Sequence, residues 1–523
     1  MILKESLSTK VVKSHIYGII KNVLPTFSVP LSVYNTLLKS AVLKNYFKRF
    51  YPLQRMVNIE KFLKRSHLYN KKFYDKVSSE LANSRELFLK NVENAVSLMS
   101  VQRHVKLTQY EHDYAVGQIC KYIFCNCSTY FRPETHQVIE TMNLNASSGL
   151  PTPWYSKRRM LPTILQILES VRTKTFDLVA NVTEISREEY PMTSAFMRMQ
   201  ITNSGLKMRL VFAVSLIFVT VETYFNTILK YLIYNVNSCA IHGFTQPEIG
   251  KLAMSTKDKH TLCIDYKSFD QRIPSFVILT VMTICIDAMR LNLYEERLFR
   301  QAIYFSVTMP TFHPDIAPQS KAGGITSGCG LTSILGSLCN SYMLHASIAR
   351  YCRTHNIKNY NNYRVYVSSD DTIISSEFYI DFKQLSAIMN SLFTVEVELE
   401  SYSKPGKSSV FFLGSEWIDG FPYRKVDRML ARIIFGSGNY PKMSDLELFQ
   451  SRCFEILGNT AQYHEIYKTF NIPYPNRVFR FLELADFSNQ KYIKSNLESY
   501  ERRGFWEDIQ LNSATANYVW MDR

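Results

Sequence analysis

Arg364-Val-Tyr-Val-Ser-Ser-Asp-Asp-Thr-Ile-Ile374 is the stretch on which the reading of this 523-residue chain turns. Val365 and Val367 share one face of a strand, and Ile373 opens a second apolar run. The segment predicts a β-hairpin with Ser369, Asp370 and Asp371 at its tip. Adjacent carboxylates repel each other, and a divalent cation would relieve the repulsion. Ser and Asp are also turn formers, so the tip taken alone fits a solvated turn as well.

Outward from the hairpin, three more segments carry chemistry. Leu262-Cys-Ile-Asp-Tyr-Lys-Ser-Phe-Asp270 begins as a short apolar strand that delivers Asp265 at its end. A carboxylate there is costly to bury without a cation. Asp270 follows five residues on, and Pro274 sits just inside a helix predicted to run through Met289. Gly323-Gly-Ile-Thr-Ser-Gly-Cys-Gly330 is a glycine-rich loop that leads into a helix, with Leu331, Leu335, Leu338 and Tyr342 at helical intervals. Thr332 falls in the first turn and Asn340 two turns on; hydroxyls near a helix start can meet a sugar or phosphate. Lys207 and Arg209, two apart on a strand, point to the same side and can grip one triphosphate. Each segment by itself has an ordinary reading as a cap, a turn or a strand end.

The composition narrows the partners. Lys plus Arg is 61 against 45 Asp plus Glu, a formal charge of +16 that points to a phosphate-rich partner, nucleic acid or an anionic membrane. With 46% apolar and 20% charged residues, a mostly disordered polypeptide is excluded. Ten cysteines at this length make no disulfide scaffold, so a reducing compartment is expected. Cys120, Cys125, Cys127 and His136 match no regular zinc spacing. The opening MILKESLSTK lacks the apolar core of a secretory signal. Leu210 to Val221, the longest apolar run, is too short to span a bilayer, so no membrane segment is expected. Residues 1 to 60 hold nine basic side chains against Glu5 and Glu60, with aromatics such as Tyr17, Tyr46 and Phe50 interleaved. That mixture suits an RNA strand, and equally a helical arm with a solvated basic face. Helical spacing dominates from about 60 to 140, strands alternate with helices to about 420, and the remainder reads as mainly helical.

Taken in order, these segments resemble the motifs of viral RNA-dependent RNA polymerases, over residues 145 to 425. Asn145-Ala-Ser-Ser-Gly-Leu-Pro151 looks like the motif at the template entrance, which implies template contacts at Ser148, Gly149, Leu150 and Pro151. Lys207 and Arg209 match the nucleotide cradle, Asp265 and Asp270 the first acidic motif, and Ser369, Asp370 and Asp371 the second. Ser327, Gly328, Thr332 and Asn340 match the motif between them, and Phe411-Phe-Leu-Gly-Ser415 the support of the growing strand. Two positions depart from the commonest pattern: Ser369 stands where Gly is usual, and Gly336 where many members have Asn.

The resemblance implies an α+β right hand of fingers, palm and thumb, with an antiparallel palm sheet of RRM-like type. It lays out 1–60 as a basic arm bridging fingers and thumb, 61–255 as fingers, 256–424 as palm and 425–523 as a helical thumb, with a fingers insertion near 290–320. It implies two-metal nucleotidyl transfer, with Asp265, Asp370 and Asp371 holding two Mg²⁺ ions and Mn²⁺ as the other candidate metal. Lys207, Arg209, Asp270, Ser327, Gly328, Thr332 and Asn340 would hold the ribonucleoside triphosphate, and Lys404 would give a proton to departing pyrophosphate. Phe269-Asp270 followed by Pro274 is most similar in style to double-stranded RNA viruses of the partitivirus and picobirnavirus group. The implied partners are RNA template and product and a viral capsid protein; the implied location is the virion interior or host cytoplasm. Two rival readings remain open at this point. A reverse transcriptase usually carries a bulky aromatic at the position of Asp270, and a non-catalytic RNA-packaging protein needs no buried acid pair.

Overall fold

The computed structural model describes residues 60–436 apart from 62, 65–67, 123–129, 145, 151, 154, 179–192, 234–245, 310, 314–315, 320 and 359–361, and adds 39, 54–55, 460 and 462. Most of the basic arm expected over 1–60 and of the helical part expected over 425–523 therefore lies outside the described residues, as do Cys125, Cys127 and Pro151.

Among the described residues, helices α1 (Lys71–Ala82), α2 (Ser84–Ser100), α3 (Gln109–Tyr122), α4 (Thr135–Thr141) and α5 (Leu161–Arg172) form the first large group. Asn70 caps α1 by accepting from the Phe73 N–H at 3.1 Å. Strand β1 (Gln54–Arg55) precedes them, and strands β2 (Thr193–Thr202) and β3 (Gly205–Ala213) follow as a long antiparallel ribbon. Next come α6 (Leu216–Ile233) and α7 (Gln246–Ser255). Helix α6 is long and apolar enough to cross a membrane, but 83% of it is buried inside the protein, as expected of a core helix.

Strand β4 (His260–Tyr266) leads through the single turn α8 (Phe269–Arg272) into α9 (Ser275–Met289) and α10 (Leu293–Thr308). Pro274 is the N-cap of α9, one place earlier than the sequence suggests. Asn292 and Glu295 close a capping box on α10. Short strands β5 (Thr311–His313) and β6 (Ile316–Gln319) then extend the β2–β3 ribbon into a sheet of order β3-β2-β5-β6. Helix α11 (Thr332–Thr354) is buried almost from end to end. Strands β7 (Tyr363–Ser368) and β8 (Asp371–Ser376), helix α12 (Phe382–Phe393) and strand β9 (Val397–Ser403) complete the central sheet. Two tight turns with left-handed residues, Leu413-Gly414 and Asp419-Gly420, connect β10 (Ser409–Phe412), β11 (Ser415–Ile418) and β12 (Phe421–Tyr423). Helix α13 (Val426–Ile434) and β13 (Phe435–Gly436), which pairs with β1, end the described part.

The central sheet has order β7-β8-β4-β9 and is antiparallel throughout. In chain order its parts run strand, helices, strand, strand, helix, strand, the split β-α-β pattern. Alternation along the strands splits the side chains between two cores. Leu262, Ile264, Val365, Val367 and Ile374 face the large core built on α6, α9, α11 and α12. Cys263 and Ile373 face a smaller one with Ile249, Leu252, Val410, Phe412 and Trp417. A sheet buried on both faces is held rigidly, so whatever protrudes from its end is placed precisely.

Candidate active site

That end carries the acids. The hairpin turn is Ser369-Asp370, with Ser368 paired to Asp371. Ser369 takes the left-handed conformation at φ +59, which explains why glycine is the easier residue there. Ile264 pairs with Thr372, so Asp265 lies one step further along, beside the turn. Its Oδ1 accepts from the Tyr266 N–H at 2.8 Å. Burial, followed by the field of Asp370, pushes the Asp265 carboxyl above its usual range. Asp371 is pushed up to about 8 by burial and then by Asp370, Glu400 and Asp265. Asp270 reaches about 7 by burial and then by Asp370.

Glu400 joins this group. The register between β4 and β9 slips between Cys263 and Ile264, which pair with Ser401 and Leu399, so Glu400 is the extra residue of a β-bulge. Its side chain keeps access to solvent, yet burial of the carboxyl and then the fields of Asp265 and Asp370 push it up to about 7. A sequence pattern of period two cannot show a bulge, and Glu400 was not expected.

Beside the acids opens a cleft of about 510 Å³. One wall carries Asp270 and Asp370, another Lys207 and Arg209 from β3. The third is α2, which turns Asn91, Asn94 and Ser97 toward the cleft while Val92, Val96 and Met99 pack inward. The signal for it was the Asn-x-x-Asn-x-x-Ser spacing, which sets three short polar side chains on one stripe of a helix. Two cationic side chains thus face carboxylates across this space.

A family model described as viral RNA-dependent RNA polymerase matches residues 64–434. The chain belongs to that family. It is an RNA-directed RNA polymerase. In fold it is similar to the insertion-loop deletion mutant of the RNA-dependent RNA polymerase of a human picobirnavirus, with TM-score 0.60 and 13% identity over 91% of this chain and 100% of that one. No curated protein matches it.

In the polymerase, the residues 323–330 are shaped by close approach rather than by a cap. Ser327 Oγ accepts from the Phe212 N–H at 3.0 Å. A Cβ on Gly328 would lie 1.7 Å from the Phe212 carbonyl oxygen, so no other residue fits. Thr332 Oγ1 lies 2.7 Å from the Thr326 carbonyl and 2.9 Å from that of Cys329, closing the loop on itself. Ile325 N–H reaches the Asp270 carbonyl at 2.7 Å, which ties this loop to the cleft.

Three expectations need correction. Asn340 is fully buried and does not line the cleft. Its Oδ1 accepts from Tyr266 Oη at 2.7 Å, and its Nδ2 donates to the Ser369 carbonyl at 2.7 Å and to Thr372 Oγ1 at 2.8 Å. It holds the hairpin against β4 instead of meeting substrate. Ser148 and Leu150 are also buried, at 1% and 2% exposure. They build a turn seated on Val214, where Gly149 has φ +72, and their side chains are not offered to a template. Lys404 leaves the central sheet at the wrong end. Ser403 pairs with Thr261 while Val397 pairs with Tyr266, so β9 runs away from Asp265 before Lys404 is reached. The Lys404 backbone is about five strand residues, roughly 16 Å, along the sheet from Asp265. As for zinc, Cys120 and His136 sit on α3 and α4, and no metal-binding trio occurs among the described residues.

Asp265, Asp370 and Asp371 offer hard oxygen ligands, and burial, followed by the field of Asp370, raises the carboxyls of Asp265 and Asp371. They form no closed cage among the described residues. Mg²⁺ is suited to such an open site, since it takes one or two carboxylates and completes its shell with substrate phosphates and water.

Proposed function

We propose that this polymerase extends RNA by two-metal nucleotidyl transfer at Asp265 and Asp370, with Asp371 auxiliary, and that it copies a segmented double-stranded RNA genome. The observation that carries the chemistry is the gathering of Asp265, Asp370 and Asp371 at one end of a rigid sheet, beside a cleft whose other wall carries Lys207 and Arg209. Bound Mg²⁺ or Mn²⁺ would supply charge stabilisation to the attacking and leaving oxygens. Lys207 and Arg209 bind the triphosphate, Arg with a bidentate grip. Asp270, lining the same cleft, accepts a hydrogen bond from the ribose 2′-hydroxyl, the group that separates RNA from DNA. The split β-α-β order of the central sheet supports reading it as an RRM-like palm, with the β2–β3 sheet in the fingers and α13 at the start of the thumb. The double-stranded RNA reading rests on the style of the segments and, at the level of fold, on the picobirnavirus likeness. A capsid partner and a virion or cytoplasmic site belong to the same proposal.

Asp270→Ala tests the substrate role. Losing one hydrogen bond to a charged group costs about 1.5–3 kcal/mol. The apparent KM for rNTPs should rise about ten-fold or more, and the preference over dNTPs should shrink by a similar factor. An unchanged rNTP over dNTP choice would remove Asp270 from the ribose.

A further inference from the structure

Between β4 and β8 the last paired residues are Ile264 and Thr372. Asp265-Tyr266 on one strand and Ser369-Asp370 at the turn lie beyond that pair. The ladder therefore does not by itself set one acid against the other. Helix α11 lies behind the gap. Ser337 and Asn340 stand three apart on it, so they share a face, and both are fully buried. Gly336 beside them leaves room for the turn, as a Cβ there would crowd Ser369 Oγ.

The hydrogen bonds of Asn340 leave its amide one orientation. Oδ1 accepts from Tyr266 Oη at 2.7 Å, on the residue after Asp265. One N–H of Nδ2 goes to the Ser369 carbonyl at 2.7 Å, on the residue before Asp370. The other goes to Thr372 Oγ1 at 2.8 Å, and that hydroxyl donates onward to the Asp370 carbonyl at 3.2 Å. A flipped amide would set its oxygen against the Ser369 carbonyl oxygen and lose both donations. Ser337 takes the other backbone group of the turn. Its Oγ accepts from the Ser369 N–H at 2.7 Å and donates to the Ser333 carbonyl at 2.8 Å. Helix α11 thus holds Ser369 by both N–H and C=O, and one amide ties that residue to Tyr266. Tyr266 and Thr372 are buried as well, so a lost partner is not readily replaced by water.

We propose that Asn340, seconded by Ser337, is a positioning residue that sets the separation of Asp265 and Asp370, and with it the site's hold on its metal ions. The proposal rests on reading these acids as metal ligands. Two ions that serve the attacking and leaving oxygens stand about 3.5–4 Å apart. Ligands held slightly too wide bind such a pair weakly and align the reacting atoms poorly. Lys207, Arg209 and Asp270 make none of these hydrogen bonds, so the grip on the nucleotide is independent of them. A residue that served packing alone would change stability and leave metal affinity and turnover as they are.

The test reads Mn²⁺ binding to the full chain by electron paramagnetic resonance, beside kcat and KM for rNTPs in synthesis. Asn340→Leu is close in size and makes none of the three bonds. Its apparent Mn²⁺ constant should rise about ten-fold or more, the usual cost of losing a group that orients metal ligands. Its kcat should fall by about a hundred-fold, with KM held within about two-fold. Tyr266→Phe should show a smaller loss of the same kind, and should add nothing to Asn340→Leu. Wild-type Mn²⁺ binding and kcat in folded Asn340→Leu, or a loss lying wholly in KM, would overturn the proposal. Should Asn340→Leu fail to fold, Tyr266→Phe and Ser337→Ala carry the same readouts, and wild-type values in both would overturn it. Asp370→Ala, run alongside, separates the two levels. If it binds Mn²⁺ like the wild type, the metal reading itself fails; if it alone loses the ion, only the positioning role does.

Discussion

Gly336 and Ser369, the two departures from the commonest polymerase pattern, touch each other. A Cβ on Gly336 would lie 3.0 Å from Ser369 Oγ. The departures are thus one exchange: the Ser369 hydroxyl fills space that a side chain at 336 would need. Gly within a helix costs about 1 kcal/mol relative to Ala, and a left-handed non-glycine residue costs about 1–2 kcal/mol. Gly336→Ala alone should therefore gain little, because it collides. Combined with Ser369→Gly it should gain about 1 kcal/mol more than the two single changes summed. Thermal midpoints of the four proteins check this, and simple additivity would mean that the side chains do not compete. At this scale the acids Asp265, Asp270, Asp370 and Asp371 were legible because strand ends and turns leave a mark in sequence. Glu222 was legible only as the residue that closes an apolar run, since the Gly330 N–H it accepts from lies 108 residues away in sequence.

Among elements, the β7–β8 hairpin and helix α9 could be read almost residue for residue from periodicity and turn formers. The lysine after β9 was misread for a reason that belongs to the element. Spacing along the chain says how far Lys404 is from Asp371 in sequence, whereas strand direction decides which end of the sheet it reaches. The acidic end of that sheet carries a pH signature. Asp371 at about 8, with Asp270 and Glu400 at about 7, all lie above their unfolded values of about 4. The folded state binds more protons than the unfolded one in this window, so its stability falls as pH rises. The thermal midpoint of metal-free protein should decrease from pH 5 to 8 and level off above, and Mg²⁺ should restore it more at pH 8 than at pH 5. Asp371→Asn should flatten the slope. A midpoint that holds or rises with pH in the absence of metal would contradict the acid cluster.

For the whole molecule, one continuous core runs from Ala115 on α3 to Val397 on β9 and takes in the strand that delivers Asp265, whereas the ribbon carrying Lys207 and Arg209 packs through Phe212 and Leu210 on α2. A buried ion pair reinforces the join between α3 and α11. Arg350 donates to Glu111 through Nε and Nη2, both at 2.6 Å, and Glu111 is fully buried. Arg350→Met leaves that carboxylate unpaired and should cost about 3–5 kcal/mol of stability, most of which Glu111→Leu in the same chain should recover. Thermal or denaturant midpoints would show it, and equal damage in the single and double variants would mean the pair is not what joins the helices. This long-range join was not legible, because no local pattern links residues 239 apart. The formal charge of +16 suits a molecule that holds RNA, but charge serves binding and packaging alike. What separates a polymerase from a packaging protein is the use of Asp370. The most direct measurement is incorporation of labelled rNTPs on single-stranded RNA with Mg²⁺, wild type beside Asp370→Ala, with RNA affinity read in parallel. Metal-ion charge stabilisation is worth several kcal/mol, so the variant should lose about a thousand-fold or more in synthesis at 1.36 kcal/mol per decade, with RNA affinity unchanged. Template-length product from Asp370→Ala at the wild-type rate would contradict the account.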